Sequence, residues 1–101
     1  FYLVDWKSNH LGDRLTDYHR GALARTMIES LYVLQYHLYT VALHQYLKLR
    51  LPGYDYDSHF GGVFYCFVRG MDPAVGSRCG LYRDRPPAAL VENLRSRLIN
   101  I

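Results

Sequence analysis

Residues 1–7 read Phe-Tyr-Leu-Val-Asp-Trp-Lys, and every side chain except those of Asp5 and Lys7 is apolar or aromatic. A short run of this kind predicts a β-strand that is buried on both faces. Because side chains alternate along a strand, Asp5 and Lys7 project to the same side, with Cα atoms about 7 Å apart. Buried strands seldom contain two charges, and this spacing leaves room for an ion and a water between the side-chain tips.

A carboxylate and an ammonium in this arrangement are suited to phosphodiester hydrolysis. Mg²⁺ prefers oxygen ligands, and an ammonium can orient an attacking water and offset the charge that grows on a phosphate. The alternative is an ordinary salt bridge at the end of a strand, which the Asp-x-Lys pattern taken alone favours.

The 101 residues suffice for one domain at most. The net charge of +3 and the pI near 9.0 permit an anionic partner without requiring one. The chain starts with Phe1 directly inside an apolar strand, so we expect a fragment whose upstream part supplies neighbours for that strand. The open sheet edges of such a fragment predict self-association or marginal stability.

The predicted elements define an α/β protein. A helix is expected from about Tyr18 to Ser30, capped by Thr16 or Asp17, and a stronger helix from about Leu31 to Leu49. The second helix carries a broad apolar stripe that we expect to face the core. Its members are Leu31, Leu34, Leu38, Val41, Ala42 and Leu49.

A second strand is predicted at residues 63–68, VFYCFV, because it is rich in β-formers and bounded by glycines. Strand, two helices and strand make a crossover, which normally joins parallel neighbours with the helices on one face of the sheet. Residues 71–87 are expected to be irregular. A last helix is expected from Pro87, in its first turn, to about Ile99.

The cysteines and histidines favour structural roles. Cys66 and Cys79 lack Cys-x-x-Cys spacing, which favours reduced thiols over a zinc site or a disulfide. His37 and His44 are seven residues apart on the long helix, whereas zinc ligands on a helix are usually three or four apart. No apolar run reaches the length of a membrane span.

Three blocks of sequence in a fixed order carry a family resemblance: FYLVDWKSNHLG at 1–12, YVLQYHLYTVALHQYL at 32–47 and YDYDSHFGGVFYCFVRGMD at 54–72. Together they resemble the C-terminal part of the nuclease domain of RecB-type helicase-nucleases, the family of the exodeoxyribonuclease V beta subunit. The resemblance implies that residues 1–101 are a C-terminal fragment of a PD-(D/E)xK nuclease domain whose upstream part is absent. The implied fold is a partial restriction-endonuclease-like core, a strand-helix-helix-strand-helix fragment of a sheet flanked by helices.

The resemblance also assigns site residues. It implies that Asp5 is a ligand of Mg²⁺, that Lys7 positions and activates water, and that the main-chain carbonyl of Trp6 is a further metal ligand. It places Gln35 and Tyr39 beside the metal cluster or the scissile phosphate. Four residues apart, these two share a helix face, and the sequence alone would favour an ordinary surface pair.

The implied function is Mg²⁺-dependent exodeoxyribonuclease activity, within a cytoplasmic, ATP-dependent helicase-nuclease for double-strand break repair and recombination. ATP would bind only to upstream helicase domains. The implied partners are DNA and the gamma and alpha subunits of exodeoxyribonuclease V. Since the family's upstream acid and histidine ligands lie outside this chain, we expect the fragment alone to be inactive. The alternative is a non-catalytic docking module for those subunits or for the recombinase.

Overall fold

A computed structural model describes residues 1–99 of the chain, which fold as an α/β protein with a three-stranded mixed sheet flanked by helices. Three single turns of 3-10 helix lie in the connections, at Leu15–Tyr18, Val68–Gly70 and Gly76–Arg78. The strands are β1 (Tyr2–Lys7), β2 (Gly62–Phe67) and β3 (Leu81–Asp84), and the helices are α1 (Arg20–Glu29), α2 (Tyr32–Arg50), α3 (Tyr56–His59) and α4 (Ala88–Leu98).

The sheet has the order β1-β2-β3. β1 and β2 are parallel, with Asp5 opposite Tyr65 and Lys7 opposite Phe67, so the predicted crossover between parallel neighbours is confirmed. β3 runs antiparallel to β2 and places Tyr82 opposite Tyr65. A row of side chains from all three strands therefore lies beneath the helices at the level of Asp5.

Two elements were not predicted. β3 lies within residues 71–87, which were expected to be irregular, and α3 lies in the tyrosine-rich connection before β2. β3 has four residues, of which Arg83 and Asp84 are charged, so no apolar alternation marks it; its pairing with β2 makes it a strand. α3 is a single turn, capped where the Asp55 side chain accepts a hydrogen bond from the Ser58 amide.

The helix starts differ from those predicted. α1 begins at Arg20, and its N-cap is His19, whose Nδ1 accepts from the Ala22 amide at 3.3 Å; the predicted caps Thr16 and Asp17 lie in the preceding 3-10 turn. α4 begins at Ala88, so Pro87 is the N-cap residue and not part of the first turn. Shifts of one or two residues are usual where a helix frays into a turn.

The expectation that β1 is buried on both faces is wrong. Leu3, Asp5 and Lys7 lie under the helices, whereas the side chains of Tyr2, Val4 and Trp6 are exposed on the other face. β1 is also an edge strand among the described residues. An apolar run indicates that a strand can be covered on both faces, but residues 1–99 cover only one face of β1.

The predicted apolar stripe of α2 does not face the core. Of its six members only Val41 is buried, and the other five are exposed. The residues that α2 buries are Tyr36, Thr40, Val41, His44 and Leu47.

Polar partners explain why aromatic and polar side chains replace leucines in this core. The Tyr36 hydroxyl donates to Asp84 Oδ2 at 2.5 Å, and the Thr40 hydroxyl donates to the Tyr36 carbonyl at 2.7 Å. Burying a polar group costs little once it is hydrogen-bonded. A hydrophobic pattern cannot anticipate the Tyr36–Asp84 pair, because Asp84 lies on a distant element.

The core is centred between the sheet and the helices. Its most completely buried members include Tyr18, Leu23, Met27, Phe67 and Val91. Cys66 and Cys79 are buried free thiols. Within residues 1–99, no helix is long and apolar enough to cross a membrane.

Glu92 ties α4 to α2. Its carboxylate accepts from Arg95 at 2.6 Å, lies 2.9 Å from His44 Nε2 and lies 3.4 Å from Lys48 Nζ. Hydrogen bonds from Arg95 and His44 lower the pKa of Glu92 from 4.5 to about 2. Both His44 nitrogens have partners, because Nδ1 lies 2.8 Å from the Tyr54 hydroxyl, so this histidine is part of the structural network.

Because of this carboxylate, we expect the free energy of unfolding to decrease at acidic pH. Because the folded-state pKa of Glu92 is depressed, its contribution is fully present above pH 4.5 and is lost as the pH falls towards 2. The side chain is partly exposed, so solvent screening limits that contribution to about 1 kcal/mol. Urea denaturation at pH 5, 3 and 2 should show a flatter pH dependence for Glu92→Gln than for the wild type. Glu29→Gln is the control, and an equal flattening by both variants would contradict the assignment.

Candidate functional site

The predicted acid and lysine lie side by side on the helix-facing side of β1. Asp5 Oδ1 and Lys7 Nζ are 3.4 Å apart, and the two side chains are 27% and 16% exposed respectively. Alternation along the strand places both on one face, as the sequence predicted. Partial burial removes some competing water from around the pair while leaving it open to a ligand.

Two aromatic rings hold the lysine ammonium against the carboxylate. Lys7 Nζ lies 4.2 Å from the ring centroid of Tyr32 and 5.4 Å from that of Tyr65. An ammonium is attracted to the face of an aromatic ring at these distances. The Tyr32 hydroxyl donates to Asn9 Oδ1 at 3.1 Å, which fixes the ring from the loop that follows β1.

Gln35 reaches the site through Tyr65. The Tyr65 hydroxyl donates to Gln35 Oε1 at 2.6 Å, and in the β1–β2 register Tyr65 is directly opposite Asp5. Burial, with a further contribution from the Asp5 charge, raises the pKa of Tyr65 well above its usual range, so this phenol remains a proton donor. The amide oxygen of Gln35 is thereby engaged, and among residues 1–99 its two side-chain N–H donors have no hydrogen-bond acceptor, so they can donate to a ligand.

Tyr39 and Trp6 occupy different positions relative to this cluster. Tyr39 lies one helical turn after Gln35 and is about half exposed, and its hydroxyl makes no hydrogen bond with residues 1–99. Trp6 directs its side chain to the opposite face of the sheet, where it is 65% exposed. Only the main chain of Trp6 can serve a site on the helix-facing side.

Sequence reasoning missed Tyr32, Tyr65 and Asn9. Alternation in the second strand places Tyr65 on the face that also holds Val63 and Phe67, and this pattern could have identified it. Tyr32 lies three residues before Gln35 and therefore on a neighbouring part of the same helix face. The position of Asn9 carries no comparable signal, because it depends on the loop conformation.

The donor chemistry at the site suits a hard cation. Asp5 provides one carboxylate, and Mg²⁺ commonly takes one or two carboxylates while keeping several waters. Within residues 1–99, no three side chains among histidine, cysteine, aspartate and glutamate gather into a metal cluster. The described residues therefore fit part of an Mg²⁺ site, with one protein carboxylate.

The fold is that of an α/β protein. At its candidate site an acid and a lysine on β1 lie beside two tyrosine rings, and one of these tyrosines hydrogen-bonds to Gln35. Curated proteins similar in sequence to this chain are RecB subunits of the RecBCD enzyme. Identity is 50% over 94 residues in Haemophilus influenzae, 48% over 91 residues in Escherichia coli and 43% over 103 residues in Mycobacterium tuberculosis.

These matches cover 93%, 90% and 97% of this chain, but only 8% to 9% of each relative. No protein-family model matches the chain. The resemblance to RecB-type proteins is thereby confirmed over nearly the whole chain, which spans less than a tenth of the length of these relatives.

Proposed function

We propose that this chain is the C-terminal part of the nuclease domain of a RecB-type protein, and that its fold is a fragment of the restriction-endonuclease-like core. The parent would be an Mg²⁺-dependent exodeoxyribonuclease within an ATP-dependent helicase-nuclease for double-strand break repair and recombination. The observation that carries the proposal is the Asp5–Lys7 pair, 3.4 Å apart on the helix-facing side of β1. The high identity to RecB supports the same assignment.

Asp5 and Lys7 have complementary roles in this proposal. The Asp5 carboxylate and the main-chain carbonyl of Trp6 would hold Mg²⁺, which when bound polarises the phosphate and lowers the pKa of water. The Lys7 ammonium, fixed by Asp5 and the Tyr32 ring, orients the attacking water and offsets negative charge on the phosphate oxygens.

Gln35 and Tyr39 face the substrate from the helix. Because the amide oxygen of Gln35 accepts from Tyr65, the amide N–H groups would donate to an acceptor such as a phosphate oxygen. The exposed Tyr39 hydroxyl extends the same donor surface by one helical turn. Both side chains would steady the scissile phosphate during attack.

The isolated chain should lack activity. It brings one carboxylate to the site, and we propose that the second acid is supplied by the upstream part of the domain. ATP hydrolysis would belong to helicase domains outside this chain. The proposed partners are DNA and the gamma and alpha subunits of exodeoxyribonuclease V, and the proposed compartment is the cytoplasm.

Replacing Asp5 by alanine in the parent enzyme tests the proposal. We expect a fall in Mg²⁺-dependent DNA hydrolysis of at least about 1,000-fold, because a charged metal ligand contributes several kcal/mol of transition-state stabilisation. ATP hydrolysis should be unchanged. An Mg²⁺ titration of nuclease rate measures the effect, and Asp13→Ala, at a nearly fully exposed carboxylate, is the control. Full activity of the Asp5 variant would refute the assignment. Cleavage by the 101-residue chain alone would refute only the expected inactivity of the isolated chain.

The exposed face of β1 favours docking as a second candidate function. Tyr2, Val4 and Trp6 form an uncovered apolar surface that could receive a partner subunit or the recombinase. In that case the parent would lack an acid on the strand that precedes β1. An Asp5→Ala parent with unchanged nuclease activity and a Trp6→Ala parent with weakened subunit assembly would together favour this function.

A further inference from the structure

The outer face of α2 carries an exposed row of apolar side chains, here termed the leucine ridge. It consists of Leu31, Leu34, Leu38, Ala42 and Leu49. Between 44% and 70% of the surface of each of its four leucines is exposed. The spacing of three, four, four and seven residues keeps the ridge on one side of the helix, opposite the residues that α2 buries in the core.

The ridge has the composition of a buried helix face. Residues 30–47 contain no aspartate, glutamate, lysine or arginine, so α2 carries none of these side chains on any face before Lys48. Surface helices normally show a polar face opposite the core, whereas the face of α2 opposite its buried residues is lined by leucines. An exposed apolar strip of this length marks a contact surface.

The backbone at the start of the ridge supports the same conclusion. Leu31 has φ 61° and is the left-handed residue that joins α1 to α2. Glycine is usual at this position because a side chain is strained there. The Leu31 side chain is 65% exposed, so no apolar contact within residues 1–99 buries it and offsets this strain.

We propose that the leucine ridge is covered by a helix from the remainder of the RecB-type polypeptide to which this chain belongs. The inference rests on the proposed function only because that proposal identifies the parent polypeptide. The chain spans 8% to 9% of its relatives, so most of such a polypeptide is available to supply the covering helix. Ridge side chains at spacings of three and four fit the grooves of a second helix.

The neighbouring site residues argue against a second copy of this chain as the occupant. Gln35 and Tyr39 border the ridge on the same helix, and a symmetric pair of ridges would bring two candidate sites against each other. A covering helix from the same polypeptide would instead complete one wall of one site. The absence of charged residues from positions 30–47 suits a permanent contact, because obligate contacts are the more apolar kind.

Photocrosslinking in the assembled parent enzyme tests the inference. The parent polypeptide carrying benzoylphenylalanine at position 38 is irradiated, and crosslinked peptides are mapped by mass spectrometry; the same probe at position 28, an exposed isoleucine of α1, is the matched control. We expect crosslinks to one segment of the same polypeptide, with a yield about tenfold above that of the control.

Mixing isotope-labelled and unlabelled parent distinguishes the possible occupants. Crosslinks within one isotopic form support the proposal. Crosslinks between the two forms would assign the ridge to a second copy, and crosslinks to another subunit would assign it to that subunit; both results would overturn the proposal, as would a yield no higher than the control. The readout does not depend on DNA hydrolysis, so a failed nuclease assignment would leave it interpretable.

Discussion

Nuclease activity of the parent enzyme should fall by about 10²–10⁴-fold when Lys7 is replaced by methionine, the range expected for loss of a positioned proton-transfer or charge-stabilising group. Methionine keeps most of the side-chain length and apolar stem but removes the ammonium that lies 3.4 Å from Asp5. In the proposed mechanism, the attacking water would lose its orienting donor and charge on the phosphate would no longer be offset. Single-turnover DNA hydrolysis at saturating Mg²⁺ measures the loss of rate.

The chain offers a matched control for this substitution. Lys48 is the other lysine in the sequence, lies at the end of α2 and pairs with Glu92 at 3.4 Å. Surface ion pairs of this kind contribute about 0–1 kcal/mol to stability, so Lys48→Met should leave the nuclease rate within about threefold of the wild type. If both variants cut equally well, Lys7 has no chemical role. If both lose activity equally, the loss reflects general disruption.

Leu23→Ala should destabilise the chain by about 2–5 kcal/mol, the usual cost of removing a fully buried leucine and leaving a cavity. Leu23 is 0% exposed and lies on α1, facing the core. The loss would be a large fraction of the 5–15 kcal/mol that is typical of a domain. Urea denaturation followed by circular dichroism measures the difference in free energy of unfolding.

Ile28→Ala is the control on the same helix. Ile28 is 67% exposed, so its truncation should change the free energy of unfolding by less than about 0.5 kcal/mol. Equal effects at both positions would show that α1 does not pack against the sheet as described. A loss at Ile28 alone would mean that the helix presents its other face to the core.

The local sequence was sufficient to predict the elements that have a strong pattern of their own. The apolar run around Asp5, the long helix that contains Gln35 and the glycine-bounded strand that contains Tyr65 were all expected, as was the parallel pairing of the strands. β3 was missed because a four-residue strand with two charges has no pattern of its own. Pairing with β2 creates it.

For the candidate site, spacing along one strand was enough to place Asp5 and Lys7 together. The Tyr65 hydrogen bond to Gln35 joins residues 30 positions apart, and the Tyr32 ring lies over an ammonium 25 positions away, at Lys7. Strand register and helix packing therefore had to be known first. The metal and catalytic roles of Asp5, Trp6, Lys7, Gln35 and Tyr39 remain predictions.

The sequence by itself determined the class of fold, because hydrophobic runs and their periods are local properties of the chain. It also determined the shared face of Asp5 and Lys7, because alternation is a property of any strand. Only the tertiary structure decided which side of α2 meets the core. Five of the six apolar positions predicted the wrong side. Burial of Tyr36 and His44 is favourable because their side chains hydrogen-bond to the carboxylates of Asp84 and Glu92 on other elements, while Leu31, Leu34, Leu38 and Leu49 stay exposed.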